Sequence, residues 1–143
     1  PARSALMSRV RQRDIAPQVR LRKRLHAEGL RYVLHSPSLP GRPDLAFPKY
    51  RAVVFVHGCF WHGHSCRAGR PSSSNRPYWS EKIAANQERD VRKATELRAL
   101  GWRVVTVWEC ETKGEQLDRT VSAVVEFVCG GASLSGVFGH SYP

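Results

Sequence analysis

Arg51-Ala52-Val53-Val54-Phe55-Val56-His57-Gly58-Cys59-Phe60-Trp61-His62-Gly63-His64-Ser65-Cys66 is the stretch on which the reading of this chain turns. Its first half is almost continuously apolar, the pattern of a strand buried on both faces of a sheet. Its second half holds His57, His62 and His64 with Cys59 and Cys66 inside ten residues. Core packing does not place so many ligand-type side chains together. The spacing therefore predicts a buried strand, Arg51 to His57, running into a long loop from Gly58 to about Pro77. Loops of that length in compact domains are usually functional.

Toward the N-terminus, Pro48-Lys49-Tyr50 reads as a turn and Asp44 to Phe47 as a short strand. Ser36 to Pro43 is a loop, because three prolines and a glycine deny it regular pairing. Arg31 to His35 reads as a further short strand. Before it, Val19, Leu21, Leu25 and Leu30 recur at helical spacing, with Pro17 at the first helical position and Gly29 as a stop. The stretch to about Arg13 is an arm or a short helix in which Arg9, Arg11 and Arg13 face phosphate or water.

Toward the C-terminus, Tyr78 to Leu100 is helical, with Ile83, Val91, Ala94, Leu97 and Leu100 on or near one face and Gly101 ending it. Trp102 to Trp108 is a third strong strand. Glu115 to Cys129 is a last helix carrying Val121, Val124, Val125 and Val128, and a Gly-Ser-rich tail follows. The order α-β-β-β-α-β-α predicts a mixed α/β domain, a central mixed sheet flanked by helices. Residues 1–130 form that domain, with 1–16 as an arm or helix against a ligand and 131–143 as a flexible tail.

The 143 residues fit one domain with one core. Lys and Arg number 23 against 12 Asp and Glu, a net charge of +11, with a pI near 10.3. So basic a domain suits a polyanion, and together with its aromatics favours nucleic acid over an anionic lipid surface. No apolar run approaches the ~20 residues of a membrane span, and no charged-then-apolar leader opens the chain. The expectation is a cytoplasmic protein without a membrane partner. It is expected to be a monomer, since no second amphipathic face is evident.

Four cysteines, Cys59, Cys66, Cys110 and Cys129, are compatible with disulfides in a secreted protein. Two of them flank the histidines and nothing signals export, so a zinc site is the better reading. Cys59, His64 and Cys66 are the local ligands. Cys110, at the end of the third strand, is the natural distant one, with Cys129 its competitor in an apolar helical segment. Four protein ligands close the zinc and make it structural. His57 and His62 are then left for proton chemistry, while His26, His35 and His140 read as ordinary surface histidines. Asp44 opens a strand opposite the His57 end of the next, where a carboxylate can hold a divalent ion over a phosphate. Phe60 and Trp61 are either anchors under the loop or wedges for a base step, and Trp79 is either core or a third such ring.

Several runs then become recognisable together. They are Ser38-Leu39-Pro40-Gly41-Arg42-Pro43-Asp44; Val53 through His62; Tyr78-Trp79-Ser80-Glu81-Lys82-Ile83 with Asn86 and Glu88-Arg89-Asp90; Leu100-Gly101-Trp102-Arg103-Val104; and Val107-Trp108-Glu109-Cys110. In order, from about Arg3 to about Gly130, they resemble the very-short-patch mismatch repair (Vsr-type) endonucleases of the PD-(D/E)xK nuclease superfamily.

The resemblance implies a restriction-endonuclease-like fold and a magnesium-dependent nick on the 5′ side of the thymine in a T:G mismatch. That mismatch is the product of 5-methylcytosine deamination, so a functional link to a DNA cytosine methyltransferase and to mismatch-repair proteins is implied as well. Asp44 matches the metal-binding acid, Val56 a position that offers its backbone carbonyl to the metal, and His57 and His62 the active-site histidines. Cys59, His64, Cys66 and Cys110 match the structural zinc ligands. Phe60, Trp61 and Trp79 match intercalating aromatics, Lys82 and Asn86 match residues at the mismatch, and Met7 matches a minor-groove wedge. One departure stands out: Gln18 replaces the glutamate usual on the first long helix, which helps organise water around magnesium.

That departure motivates a rival reading, a DNA-binding module with weak or no catalysis. A second rival is a nicking nuclease with another DNA target. A third, a zinc hydrolase built on His62-Gly63-His64, needs an open zinc position, against which the nearby cysteines argue.

Overall fold

The computed structural model describes residues 16–60, 62–64, 66 and 76–130. The expectations for the N-terminal arm and Met7, for Trp61, for His140 and for the tail 131–143 lie outside the described residues. The element order is α1 (Ala16–Ala27), β1 (Val33–Leu34), β2 (Leu45–Phe47), β3 (Ala52–His57), α2 (Arg76–Ala99), β4 (Arg103–Trp108), a 3₁₀ turn (Glu109–Thr112) and α3 (Gln116–Gly130). This is the expected α-β-β-β-α-β-α order, with the 3₁₀ turn as an addition.

The strands form one sheet in the order β1-β2-β3-β4. β1 and β2, and then β2 and β3, pair antiparallel. β3 and β4 pair parallel from Ala52↔Arg103 to His57↔Trp108. A parallel pair needs a long crossover, and α2 supplies it.

All six residues of β3 are buried because both faces of the sheet are covered. On one face Val54 and Val56 pack with Leu21 and Leu25 of α1 and with Val121, Val124 and Val128 of α3. On the other, Val53 and Phe55 pack with Leu97 of α2. Alternate side chains of a strand point to opposite faces, so a strand with helices on both sides loses its polar alternation. Arg103 ties β4 to α3, donating to the carbonyls of Phe127, Val128 and Tyr50. Two glycine stops behave as the sequence suggests: Gly29 and Gly101 take φ of +94° and +90°, and Leu30 and Trp102 donate back to the carbonyls of Leu25 and Leu97.

Three expectations need correction. β1 is only Val33–Leu34, both exposed, because it is an edge strand pairing with a three-residue neighbour. Val91 on α2 and Leu100 just beyond its end face solvent. The buried stripe is instead Ile83, Asp90 and Leu97, one residue every seven, with an acid at its centre. Cys129 is exposed at the end of α3, not a buried thiol.

Candidate active site

β3 delivers its C-terminal residues into the loop, and two polar clusters form there. The first is Cys59, His64, Cys66 and Cys110, whose ligand atoms all lie within 4.8 Å of one another. Tight turns fold the loop back on itself: His62 donates to the Gly58 carbonyl and His64 to that of Cys59. Cys110 reaches the cluster from the 3₁₀ turn that follows β4, with its Sγ 3.6 Å from His64 Nδ1. Sulfur and nitrogen ligands at about 2.3 and 2.1 Å from a tetrahedral zinc are about 3.6 Å apart, so the donor set fits that ion. Without a cation, burial and then the neighbouring Cys66 and Cys110 push the Cys59 thiol up to about 12, against a backbone hydrogen bond from Cys110. Cys129 is not part of this cluster.

The second cluster is His57, His62 and Asp90. The two imidazoles stack with centroids 4.0 Å apart and planes 5° from parallel. Asp90, on the buried stripe of α2, places Oδ2 2.6 Å from His62 Nδ1 and Oδ1 3.6 Å from His57 Nε2. Burial pushes the His57 pKa down to about 3; the charges of His62 and Lys93 act in the same direction and Asp90 opposes them. Gln87, on the same helix, donates to the His62 carbonyl. Gly63 has φ +65°, and a Cβ there would meet Gln87 Nε2 at 2.5 Å and Ile83 Cγ2 at 2.6 Å, so α2 presses directly on the loop.

Trp108 separates the two clusters. Its ring stacks on His64, 4.3 Å away at 16°, and meets His57 edge-on at 5.4 Å. The residue is 2% exposed, so the metal-type loop and the histidine pair are built around one buried indole.

Asp44 stands on the α1 side of the histidines. Its Oδ2 accepts the Val56 N–H at 2.7 Å and its Oδ1 accepts the Gln18 amide at 3.1 Å. Burial raises the Asp44 pKa; the bonds from Val56 and Gln18 and the histidines His35 and His62 offset part of that. A carboxylate driven toward its neutral form by burial gains most from a cation beside it, so the residues fit a divalent ion. Gln18 is fully buried on α1, and its side-chain amide reaches Asp44.

The aromatic group lies on the far side of the loop. Phe60 meets Trp79 edge-on, centroids 5.1 Å apart. Tyr78 tilts against Trp79, and Lys82 lies 5.0 Å over the Tyr78 ring. Asn86, one turn beyond Lys82, accepts from Arg89 at 2.8 Å. Spacings of three and four put Trp79, Lys82 and Asn86 along one side of α2.

Sequence reasoning assigned no role to Asp90, Gln87 or Trp108, and it dismissed His35. An acid in the i, i+7 apolar row Ile83-Asp90-Leu97 was the available signal for Asp90. His35 had none, because a two-residue strand brings it to Asp44.

The fold has a counterpart among solved structures. The catalytic domain of homing endonuclease I-Bth0305I superposes with a TM-score of 0.58 at 20% identity, covering 83% of this chain and 99% of that one. The fold is thus restriction-endonuclease-like. A family profile described as DNA mismatch endonuclease Vsr matches residues 1–68. The DNA mismatch endonuclease Vsr of Escherichia coli (strain K12) is 42% identical over 135 residues, 92% of this chain and 86% of that protein. The Type II nicking enzyme V.XorIIP of Xanthomonas oryzae pv. oryzae is 52% identical over 109 residues, 76% of this chain and 80% of its own. The chain belongs to the Vsr family of DNA mismatch endonucleases, and it is an endonuclease. Among the described residues, no helix is long and apolar enough to cross a membrane.

Proposed function

We propose that this endonuclease nicks one strand of duplex DNA on the 5′ side of the thymine in a T:G mismatch, using magnesium for catalysis and zinc for structure. The observation that carries the reading is the His62–Asp90 pair, 2.6 Å apart, set between a buried carboxylate and a group of aromatic rings.

Asp44 and the Val56 carbonyl would hold magnesium, which supplies charge stabilisation at the reacting phosphate when bound. His62 takes the proton of the attacking water; Asp90 holds the ring and stabilises its positive charge. The water oxygen bonds to phosphorus as the bond to the leaving sugar oxygen breaks. His57, kept neutral by burial, faces that oxygen or the phosphate. Cys59, His64, Cys66 and Cys110 hold zinc and fix the loop on which His62 stands. Phe60 and Trp79, with Trp61, enter the weakened stack at the mismatch, where separating bases costs least. Lys82 and Asn86 contact the mismatched pair, and the basic surface supplies affinity. Met7 is assigned the wedge from the opposite groove. Gln18 tempers the metal site without emptying it. The substrate is the deamination product of 5-methylcytosine, which links the protein to a DNA cytosine methyltransferase and mismatch-repair proteins in the bacterial cytoplasm.

The test is strand nicking of T:G, matched and methylated duplexes of one sequence, with magnesium added or withheld. Cleavage confined to the thymine strand of the T:G duplex and dependent on magnesium supports the reading. Equal cleavage of the matched duplex assigns another DNA target. Binding without cleavage assigns a DNA-binding module, the outcome that Gln18 would explain.

A further inference from the structure

His35 sits outside the histidine pair, yet its geometry ties it to Asp44. It has φ +46°, a backbone conformation that burdens a residue with a side chain and suits glycine. Such outliers persist where surrounding structure enforces them, often at functional sites. The His35 N–H donates to the Asp44 carbonyl at 3.1 Å, which anchors the two residues side by side. The imidazole then places Nδ1 3.9 Å from Asp44 Oδ1 and Nε2 3.1 Å from the Gln18 amide nitrogen.

The donors and acceptors around Gln18 leave one consistent arrangement. Arg22 can only donate, and it lies 3.0 Å from Gln18 Oε1, so that atom is the carbonyl oxygen. The amide nitrogen therefore turns inward, with its two hydrogens directed at Asp44 Oδ1 and at His35 Nε2. His35 Nε2 accepts, and the hydrogen on Nδ1 faces the Asp44 carboxylate. A glutamate at position 18 has no hydrogen to give to either group. With Nε2 as acceptor the imidazole is matched to a glutamine, whereas a glutamate would call for the tautomer with its hydrogen on Nε2.

We propose that His35 is a positioning residue of the cation site: by accepting the second Gln18 N–H it locks the amide against Asp44 and aims the carboxylate at the metal. This rests on the nuclease reading for its consequence in catalysis but not for its consequence in metal binding.

The experiment compares the natural protein with His35→Gly and His35→Gln. Glycine removes the ring and also relieves the φ of +46°, so loss of folding does not confound it. Glutamine restores an acceptor at about the reach of Nε2. Manganese binding is read by electron paramagnetic resonance in the absence of DNA, thermal melting on the same samples, and single-turnover nicking across a magnesium series. His35→Gly is expected to melt no lower than the natural protein. Its manganese dissociation constant should rise and its nicking rate fall by about 10–100-fold, the usual effect of losing a group that orients a ligand. His35→Gln should recover most of both. Unchanged manganese affinity in His35→Gly overturns the proposal, and so does failure of the natural protein to bind manganese. If the natural protein binds manganese but does not nick, the nuclease reading fails while the resonance comparison still decides the role of His35.

Discussion

Asp90 Oδ2 lies 2.6 Å from His62 Nδ1, with the acid 7% exposed on a helix whose other faces meet water. A carboxylate accepts from Nδ1–H and so leaves Nε2 as the base. An asparagine can present its N–H₂ instead and favour the opposite tautomer. Asp90→Asn should therefore lower the single-turnover nicking rate by about 10²–10⁴-fold, the range ascribed to a positioned acid–base group. DNA affinity, measured by fluorescence anisotropy, should stay within threefold or so, since phosphate contacts dominate it. A rate unchanged in Asp90→Asn means that His62 is not the base.

The stacking of Trp108 on His64 makes the Cys-His cluster and the histidine pair one packed unit. Cys110→Ser should lose zinc, measured by elemental analysis, and with it nicking at any magnesium concentration. Cys129→Ser should retain one zinc per chain and full activity, because Cys129 is exposed and outside the cluster. Purified untagged protein that carries no zinc would overturn the assignment.

Phe60 and Trp79 meet edge-on at 5.1 Å and both stay partly exposed. If they enter the base stack, Phe60→Ala should weaken binding to a T:G duplex by about 1–3 kcal/mol, the worth of a base–aromatic contact, and weaken matched duplex binding less. Equal losses on both duplexes would reduce the rings to supports for the loop.

What was legible in the sequence follows from what each residue's neighbours in the chain reveal. β3 declared itself because double-sided burial removes polar alternation, and β4 because Val104, Val105, Thr106 and Val107 make a β-branched run. The Cys-His loop declared itself because three of the four cluster residues, Cys59, His64 and Cys66, are local. Asp44 was singled out from its place before a strand opposite His57. Asp90 lies 28 residues from the ring it holds, and an apolar face drawn through Val91 and Leu100 passed it by. His35 reaches Gln18 across 17 residues through an edge strand too short to announce itself. Val91 and Leu100 misled because an apolar residue on a long helix need not face the core.

Acid should destabilise the fold through His57. Its folded pKa lies at about 3, from burial first and then the charges of His62 and Lys93, whereas an unfolded histidine titrates near 6.5. Below that value the unfolded chain binds a proton the native state refuses. Stability from this group is therefore present above about pH 6.5 and falls by up to about 1.4 kcal/mol per pH unit until the folded pKa is reached. Asp44 acts in the opposite sense, since burial raises its pKa and the native state holds its proton above the unfolded value of 3.8. Urea unfolding at pH 7.5 and 5.5, for the natural protein and His57→Gln, isolates the histidine. A smaller loss in His57→Gln is expected, and an equal loss would mean that the His57 ring titrates normally in the fold.

Gln18→Glu puts the same geometry to a sharper use. The Gln18 amide now donates to Asp44 Oδ1 at 3.1 Å. A glutamate there sets a second carboxylate against the first in a buried pocket, with no hydrogen for either Asp44 or His35. Without a cation this repulsion and the lost bonds should lower the melting temperature, and the effect should be largest in a chelator of divalent ions. With magnesium the extra charge becomes an attraction, so the variant should bind the ion more tightly and reach its maximal rate at lower magnesium. The rate at saturation should rise by about 10–100-fold if position 18 acts by orienting the ion's surroundings, with the cut strand unchanged. The variant should melt below the natural protein in chelator and close that gap in magnesium. Two parallel melting curves, with no magnesium-dependent crossing and equal nicking rates, would remove Gln18 from the metal site.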